Sequence, residues 1–209
     1  ILKFFLAIVI VSMMANEYSY GTLKQNLIDG MSKKEFVLSK FLTVVLFAFV
    51  STFFVFIMSL ILGYSFSSYT ELSIVFFDME YLLAYFVKLV GFFSFCLFLG
   101  VLVKRSAFAI GFLFVWNIIE GIANGILTFK VFPKSNTAEQ ITQFFPLESM
   151  SNLIVEPITR LSVIKNIQTA VGDTNVKDYS VHFSSILIVL VWTTLFIFLS
   201  YKIIKKRDL

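Results

Sequence analysis

The length, composition and charge of the chain exclude a soluble globular domain. Of its 209 residues, 58% are hydrophobic and 14% are charged, whereas about a quarter of the residues of a soluble domain are charged. Phenylalanine supplies 27 residues, which is more bulky apolar surface than so short a chain can hide from water. We therefore expect an all-α integral membrane protein whose solvent is largely the lipid bilayer.

The formal net charge of +4 indicates membrane orientation rather than a nucleic-acid partner. The lysines and arginines cluster at the ends of apolar runs, where they orient a membrane protein. Cys96 is the single cysteine and lies inside an apolar run. We expect it to pack as a small hydrophobic residue, and no disulfide framework within the chain is expected.

The whole chain, residues 1–209, is predicted to form one transmembrane domain with about five membrane-spanning helices. The clearest contains Phe41–Leu62, an uncharged run of 22 residues, which as a helix reaches about 33 Å and crosses the hydrocarbon core. The predicted spans are a partial helix at 1–15 and full helices at 36–63, 79–103, 106–129 and 183–204. Because the first apolar run is too short to span and the chain opens at Ile1, we expect a sixth helix upstream.

The basic residues predict the orientation of these helices. They cluster in the connection 16–35 with Lys40, at Lys104 and Arg105, and at Lys202, Lys205, Lys206 and Arg207. By the positive-inside rule these three regions, including the C-terminus, are cytoplasmic. The alternate connections, 63–80 and 130–182, are then extracytoplasmic. We expect a multi-pass protein of the cell inner (plasma) membrane.

The extracytoplasmic segment 130–182 contains all three prolines of the chain, Pro133, Pro146 and Pro157. No spanning helix is therefore interrupted by proline, and we expect the membrane helices to be continuous. Apolar patches at 144–147 and 153–155 predict short helices that lie on the outer leaflet or dip into it.

The cytoplasmic segment 16–35 is predicted to contain a short amphipathic helix. Its apolar residues recur at spacings of three and four, at Tyr20, Leu23, Leu27 and Met31, which is the period of one helix face. Gly30 is placed to end this helix. Ser32 and Glu35 form a capping-box pattern that begins the next helix. On periodicity alone, a helix that merely anchors the loop at the membrane surface is an equally good interpretation.

The residues of this segment add a family resemblance. Glu17, then Gly21-Thr22-Leu23, Lys24, Gln25-Asn26, Ile28-Asp29-Gly30 and Ser32-Lys33 resemble the cytoplasmic segment of ABC-2 type transporter permeases. Those permeases have six helices, a coupling helix between the second and third, and an extended external segment between the fifth and sixth. The resemblance implies that the residues contacting a partner are Glu17, Gly21, Thr22, Lys24, Gln25, Asn26 and Asp29.

The resemblance also implies the partners. A separate ATP-binding subunit would dock on the coupling helix, and a second permease protomer, in a homo- or heterodimer, would complete the substrate pathway. The sequence has no G-x-x-x-x-G-K-S/T loop, so ATP is expected on the partner and no cofactor on this chain. No catalytic or metal-binding constellation accompanies the lone His182, so we do not expect an enzyme. A secondary transporter, a channel or a non-transporting scaffold remain alternatives.

Two ionisable side chains are predicted at membrane depth, Lys88 and Glu120. Both lie about 22–24 Å above the basic pair Lys104 and Arg105, so we expect them to form an ion pair, with a snorkelling lysine as the alternative. Glu120 shares one face with Asn117, Gly121, Asn124 and Thr128. That face would line a translocation pathway or a protomer interface, or would pack against a neighbouring helix at Gly121-x-x-x-Gly125.

Overall fold

The computed structural model describes residues 2–66, 76, 79–132, 137–154 and 180–207. These residues form eight α-helices and no strand, which confirms the predicted all-α class for the described part of the chain. The helices are α1 Leu2–Ser19, α2 Thr22–Ile28, α3 Lys33–Phe66, α4 Met79–Val103, α5 Ser106–Ile126, α6 Thr137–Thr142, α7 Pro146–Asn152 and α8 Phe183–Lys206.

Four of the described helices are long and apolar enough to cross a membrane. They are α3, α4, α8 and α5 together with the turn that extends it to Val131. Helix α1 qualifies as a fifth span only together with α2, across a bend of 65°. The first predicted span therefore ends differently from the others, in a sharp turn after Ser19.

Helix α4 is the centre of the bundle. It packs against α1, α3, α5 and α8, and its side chains are buried almost continuously from Leu89 to Val101. Two glycines allow close approach: a Cβ on Gly91 would lie 2.7 Å from Val189 Cγ1 on α8, and a Cβ on Gly100 would lie 2.8 Å from Met14 Cβ on α1. The outward faces of α3, α5 and α8 are apolar and exposed, as lipid-facing surfaces are.

The helix bounds extend the predicted spans in four helices, beginning with α1, which continues past the predicted 1–15 to Ser19. Helix α3 begins three residues before the predicted 36–63 and ends three residues after it, because its cap lies upstream and its apolar sequence continues to Phe66. Helix α8 continues to Lys206. Helix α5 widens into a π-helical turn, Leu127–Val131, where the Phe132 N–H donates to the Leu127 carbonyl. The turn changes the helical hydrogen-bond pattern but does not interrupt the helix, which continues as one apolar span to Val131.

The segment after α5 folds back along the bundle. Helix α7 begins at Pro146, whose missing N–H suits the first turn of a helix. Its start lies level with Glu120, which is about 16 Å down α5 from Val131 at the helical rise per residue. Leu147, Met150 and the following Leu153 are buried against the bundle. The predicted short helices are thus present at 137–152, whereas Pro133, Pro157 and most of segment 130–182 lie outside the described residues.

Candidate functional site

Functional side chains gather at two ends of the bundle. We call the end that carries Glu17, Lys40 and Arg207 the basic end. We call the region that carries Glu120, Lys88 and helix α7 the capped end. The sequence-predicted partner contacts lie at the first, and the predicted intramembrane polar residues lie at the second.

At the basic end, Gly21 turns the chain from α1 into α2. Its φ of 68° is a left-handed conformation that glycine adopts without strain. The turn is fixed by Glu17, whose Oε2 accepts a hydrogen bond of 2.6 Å from the Thr22 hydroxyl. The other oxygen of Glu17 forms a salt bridge with Lys40 of α3. One carboxylate therefore ties three helices together.

This arrangement divides the predicted partner contacts into two groups. The Glu17 side chain is only 14% exposed and serves as an internal joint, bonded to Thr22 and Lys40. Thr22, Lys24, Gln25 and Asp29 are exposed, as is Gly21, while Asn26 is partly covered. The exposed polar side chains that a partner could reach are thus those of Thr22, Lys24, Gln25 and Asp29.

The predicted apolar stripe is half correct. Leu23 is buried and Leu27 packs against the core, but Tyr20 is 78% exposed and Met31 is also exposed. The physical reason is that α2 begins only at Thr22 and ends at Ile28, so Tyr20 and Met31 lie outside the helical period. Ile28 is 73% exposed, and the outward surface of α2 therefore mixes apolar and polar groups.

The predicted helix stop and capping box are confirmed. Gly30 has a φ of 103° directly after α2. Glu35 Oε2 accepts hydrogen bonds from the Ser32 N–H and the Ser32 hydroxyl, both of 2.8 Å, and the Glu35 N–H donates to Ser32 Oγ at 3.2 Å. The two hydrogen bonds to the carboxylate, that from the backbone first, hold the pKa of Glu35 below its ordinary value. Helix α3 thus has a fixed starting point on the water-exposed side of its apolar run.

Arg207 closes the basic end, a role that the sequence did not predict. Its guanidinium donates to the carbonyls of Val101 at 2.6 Å and Leu102 at 3.0 Å, and to the Tyr18 hydroxyl at 2.9 Å. Lys33 donates to the Arg207 carbonyl at 2.8 Å. The three regions that carry the predicted cytoplasmic charge therefore meet in space. In the sequence, Arg207 is one basic residue among several, and nothing local distinguishes it.

At the capped end, Glu120 is buried and binds the start of α7. Its carboxylate accepts hydrogen bonds from the Leu147 N–H at 3.0 and 3.2 Å and from the Glu148 N–H at 3.0 Å. The Trp116 indole N–H donates to it at 2.5 Å. Because the first N–H groups of a helix lack partners within the helix and carry partial positive charge, a carboxylate is well suited to them.

Lys88 binds the opposite end of the same short helix. Its ammonium donates to the Ser151 carbonyl at 3.1 Å, and Lys3 of α1 donates to the Ser151 hydroxyl at 3.4 Å. Among the residues that the structure describes, Lys88 is not within salt-bridge distance of Glu120. The predicted ion pair is therefore wrong in its geometry. Helix α7 lies between the two charges, and each binds the terminus of complementary partial charge.

The remaining predicted polar residues on α5 separate by position. Asn124 donates to Glu148 Oε1 at 3.0 Å and accepts from the Thr128 hydroxyl at 3.2 Å, so it belongs to the capped end. Asn117 lies on the exposed side of α5. Gly121 and Gly125 would meet nothing within 4 Å if they carried a Cβ, so the chain's own described helices do not pack against them.

Comparison with known proteins gives a family and no activity. A family model described as a protein of unknown function (DUF2705) matches residues 1–209. No curated protein and no solved structure matches the chain.

Proposed function

We propose that this chain, which belongs to the DUF2705 family, is the membrane-spanning permease subunit of an ABC-2 type transporter. In this proposal a separate ATP-binding subunit docks on α2 and drives movement of a substrate across the membrane, as an exporter. The basic end faces the cytoplasm and the capped end faces outward. The apolar helices suit lipid, peptide, drug or polysaccharide substrates equally.

The observation that carries the proposal is the joint at Glu17. A helix that only anchors a loop needs apolar contacts with the bundle, which Leu23 and Leu27 supply. Here the helix is in addition bonded through Thr22 and Glu17 to Lys40 of α3. A force applied to the exposed face of α2 would therefore reach α1 and α3 without first being absorbed by a flexible linker.

The composition of the exposed surface at α2 favours binding of a protein partner. Ile28, Lys24 and Gln25 are exposed on α2, and Tyr20 and Asp29 are exposed just outside its two ends. Protein interfaces typically have apolar anchors surrounded by polar groups.

The proposed second protomer has a candidate surface on α5. Asn117, Gly121 and Gly125 lie at spacings of four residues on its exposed side. Small residues at this spacing let two membrane helices approach closely, and an asparagine amide in an apolar face gains from a partner across the helix pair. This surface supports a dimer in which the two copies face each other along α5.

The test is co-purification with the product of the neighbouring gene, which under this proposal is the ATP-binding subunit. The chain and that subunit are expressed together, the ATPase is pulled down, and the amount of bound chain and the rate of ATP hydrolysis are measured. Lys24→Glu should reduce retention about tenfold or more, as expected for a residue near the centre of an interface. The same purified complex reports whether it contains two copies of the chain.

Lys202→Glu is the matched control, because Lys202 is equally exposed at the basic end but belongs to α8. It should leave retention and hydrolysis unchanged. If Lys24→Glu also retained the subunit and full hydrolysis, the coupling role would be wrong and α2 would be an interfacial anchor. Binding of a neighbouring protein that lacks ATPase activity would instead favour the scaffold.

A further inference from the structure

Helix α7 is attached to the bundle in an unusual way for so short a helix. It has 7 residues, fewer than an isolated helix needs to be stable in water. Charged side chains of the long helices bind its two termini, Glu120 at the start and Lys88 at the end, and Asn124 of α5 and Lys3 of α1 bind its Glu148 and Ser151 side chains. The position of α7 therefore depends on its neighbours rather than on its own helical stability.

The apolar side of α7 occupies a space between α4 and α8. Met150 lies against Gly91, where a Cβ would meet Met150 Cε at 3.2 Å and Val189 Cγ1 at 2.7 Å. Leu147 and Met150 are 4% and 1% exposed. The missing side chain at Gly91 thus forms part of the seat that α7 fills.

The charged groups around Glu120 explain why its contact with the start of α7 differs from the other contacts of that helix. Glu148 of α7 is the nearest like charge, and its carboxylate is held by Asn124 at 3.0 Å. Lys88 and Lys3 bind the far end of α7. Helix α8 carries no charged residue between Phe183 and Tyr201. Among the described residues, the positively polarised group that contacts the Glu120 carboxylate is therefore the start of α7.

We propose that α7 is a releasable plug, seated between α4, α5 and α8 by the negative charge of Glu120, and that neutralising this residue unseats α7 while the long helices stay assembled. A neutral side chain cannot match the acceptor capacity of the carboxylate toward the Leu147, Glu148 and Trp116 N–H groups. The start of α7 is then held by the apolar contacts of Leu147 and Met150 and by the Asn124–Glu148 bond, while Lys88 and Lys3 still bind its far end. This inference does not depend on the proposed transport function.

The test measures exposure of the seat in the purified full chain. Met150→Cys places a thiol at a buried position of α7, and its reaction with N-ethylmaleimide is followed by mass spectrometry. Cys96 is buried in α4 and reports on the bundle in the same molecule. Adding Glu120→Gln should raise the labelling rate of residue 150 about tenfold, as one lost charge-assisted hydrogen bond implies, while Cys96 stays unlabelled.

Glu139→Gln is the matched control, because it makes the same chemical change on exposed helix α6, and it should leave labelling unchanged. The proposal is overturned if Glu120→Gln leaves the rate at residue 150 within about twofold, since the plug would then be held by apolar packing. It is also overturned if Cys96 becomes reactive in parallel, because Glu120 would then stabilise the bundle as a whole.

A second measurement needs no substitution. In the unaltered chain, the Leu147 and Glu148 amides should exchange with deuterium through an opening that leaves the α4 amides protected. Exchange of these two amides only together with α4 would show that α7 does not leave its seat separately, and would overturn the proposal.

Discussion

The two ends of the molecule use charged side chains in different ways. At the basic end, Glu17 pairs directly with Lys40, and both side chains remain partly exposed, at 14% and 17%. At the capped end, Glu120 and Lys88 are deeper in the helices and bind the two termini of α7. Opposite charges thus pair directly at the basic end. At the capped end they are separated by α7, whose termini complement both charges.

This difference shows how a buried carboxylate and a half-buried ammonium can be accommodated without meeting. Each charge at the capped end loses hydration but gains backbone groups that have no other partner. The two charges therefore influence each other through α7 rather than by direct attraction. We expect any coupling between substitutions of Glu120 and Lys88 to depend on that helix. The following predictions test that distinction between the two ends, beginning with the largest expected effect.

The strongest test compares Glu120→Gln, Lys88→Met and the double variant. Glu120→Gln should lower the free energy of unfolding by about 2–3 kcal/mol, because it weakens charge-assisted hydrogen bonds to buried N–H groups. Lys88→Met should lower it by about 1–2 kcal/mol, through loss of the bond to the Ser151 carbonyl. Denaturation in detergent measures the free energy of unfolding of the unaltered chain and the three variants. The double variant should be less stable than either single variant.

A direct ion pair would give the opposite order. Removing one member of a buried pair strands the other charge, so the double variant would then be more stable than either single variant. That outcome would remove the distinction between the two ends. The equivalent comparison at the basic end, with Glu17→Gln and Lys40→Met, should show this pairwise pattern on a smaller scale because its groups are more exposed.

The second test asks whether packing at the capped end is as tight as its polar contacts imply. Gly91→Ala should lower the free energy of unfolding by about 1–2 kcal/mol, because the new methyl group would overpack the stiff Val189 side chain. Thermal unfolding in detergent measures the change. Gly111→Ala is the control, since nothing lies within 4 Å of its Cβ position; alanine there should be neutral or stabilise α5 by up to about 1 kcal/mol.

If the two alanine variants changed the free energy of unfolding equally, α7 and α8 would be able to move away from α4 without loss of stability. The polar termini would then carry the whole attachment of α7. Such a result would leave the comparison between the two ends standing but would remove apolar packing from its explanation.

The smallest expected effect lies in the capping box of the basic end. Ser32→Ala should lower the free energy of local opening at the start of α3 by about 1 kcal/mol, because Ser32 Oγ no longer accepts from the Glu35 N–H. Hydrogen exchange of the amides at 34–37 measures it. Ser39→Ala, which removes an exposed hydroxyl about two turns later, should change the free energy of opening by less than about 0.5 kcal/mol. Equal effects would indicate that packing of Phe36 fixes the start of α3.

The sequence predicted the fold where a local pattern was sufficient. Helix α4 begins and ends at the predicted residues, 79 and 103, because a charged pair bounds a long apolar run on one side. Gly30, Ser32 and Glu35 lie close together in the chain, and the end of α2 and the start of α3 follow from their spacing alone. The π-helical turn after Ile126 could not be predicted, because its residues have the composition of an ordinary helix.

The candidate sites were predictable only in part for the same reason. Spacing on one helix placed Glu120, Asn124 and Thr128 on one face, and the structure connects Asn124 with Thr128. The partner of Glu120 is a backbone terminus 27 residues away in the chain, and every helix offers such a terminus. No side-chain pattern marks it, so an ion pair with Lys88 was the simpler expectation. Arg207 was missed likewise, since its acceptors are backbone carbonyls.

The position of the two tryptophans has an experimental consequence. The Trp116 indole donates to Glu120 at 2.5 Å, and the Trp192 indole donates to the Phe144 carbonyl at 3.0 Å, two residues before α7 begins. The sequence contains two tryptophans, so all of the tryptophan fluorescence of the protein originates beside this short helix. Its emission wavelength and quenching by acrylamide therefore serve as a built-in optical signal of that region, readable in unlabelled protein in detergent or in vesicles.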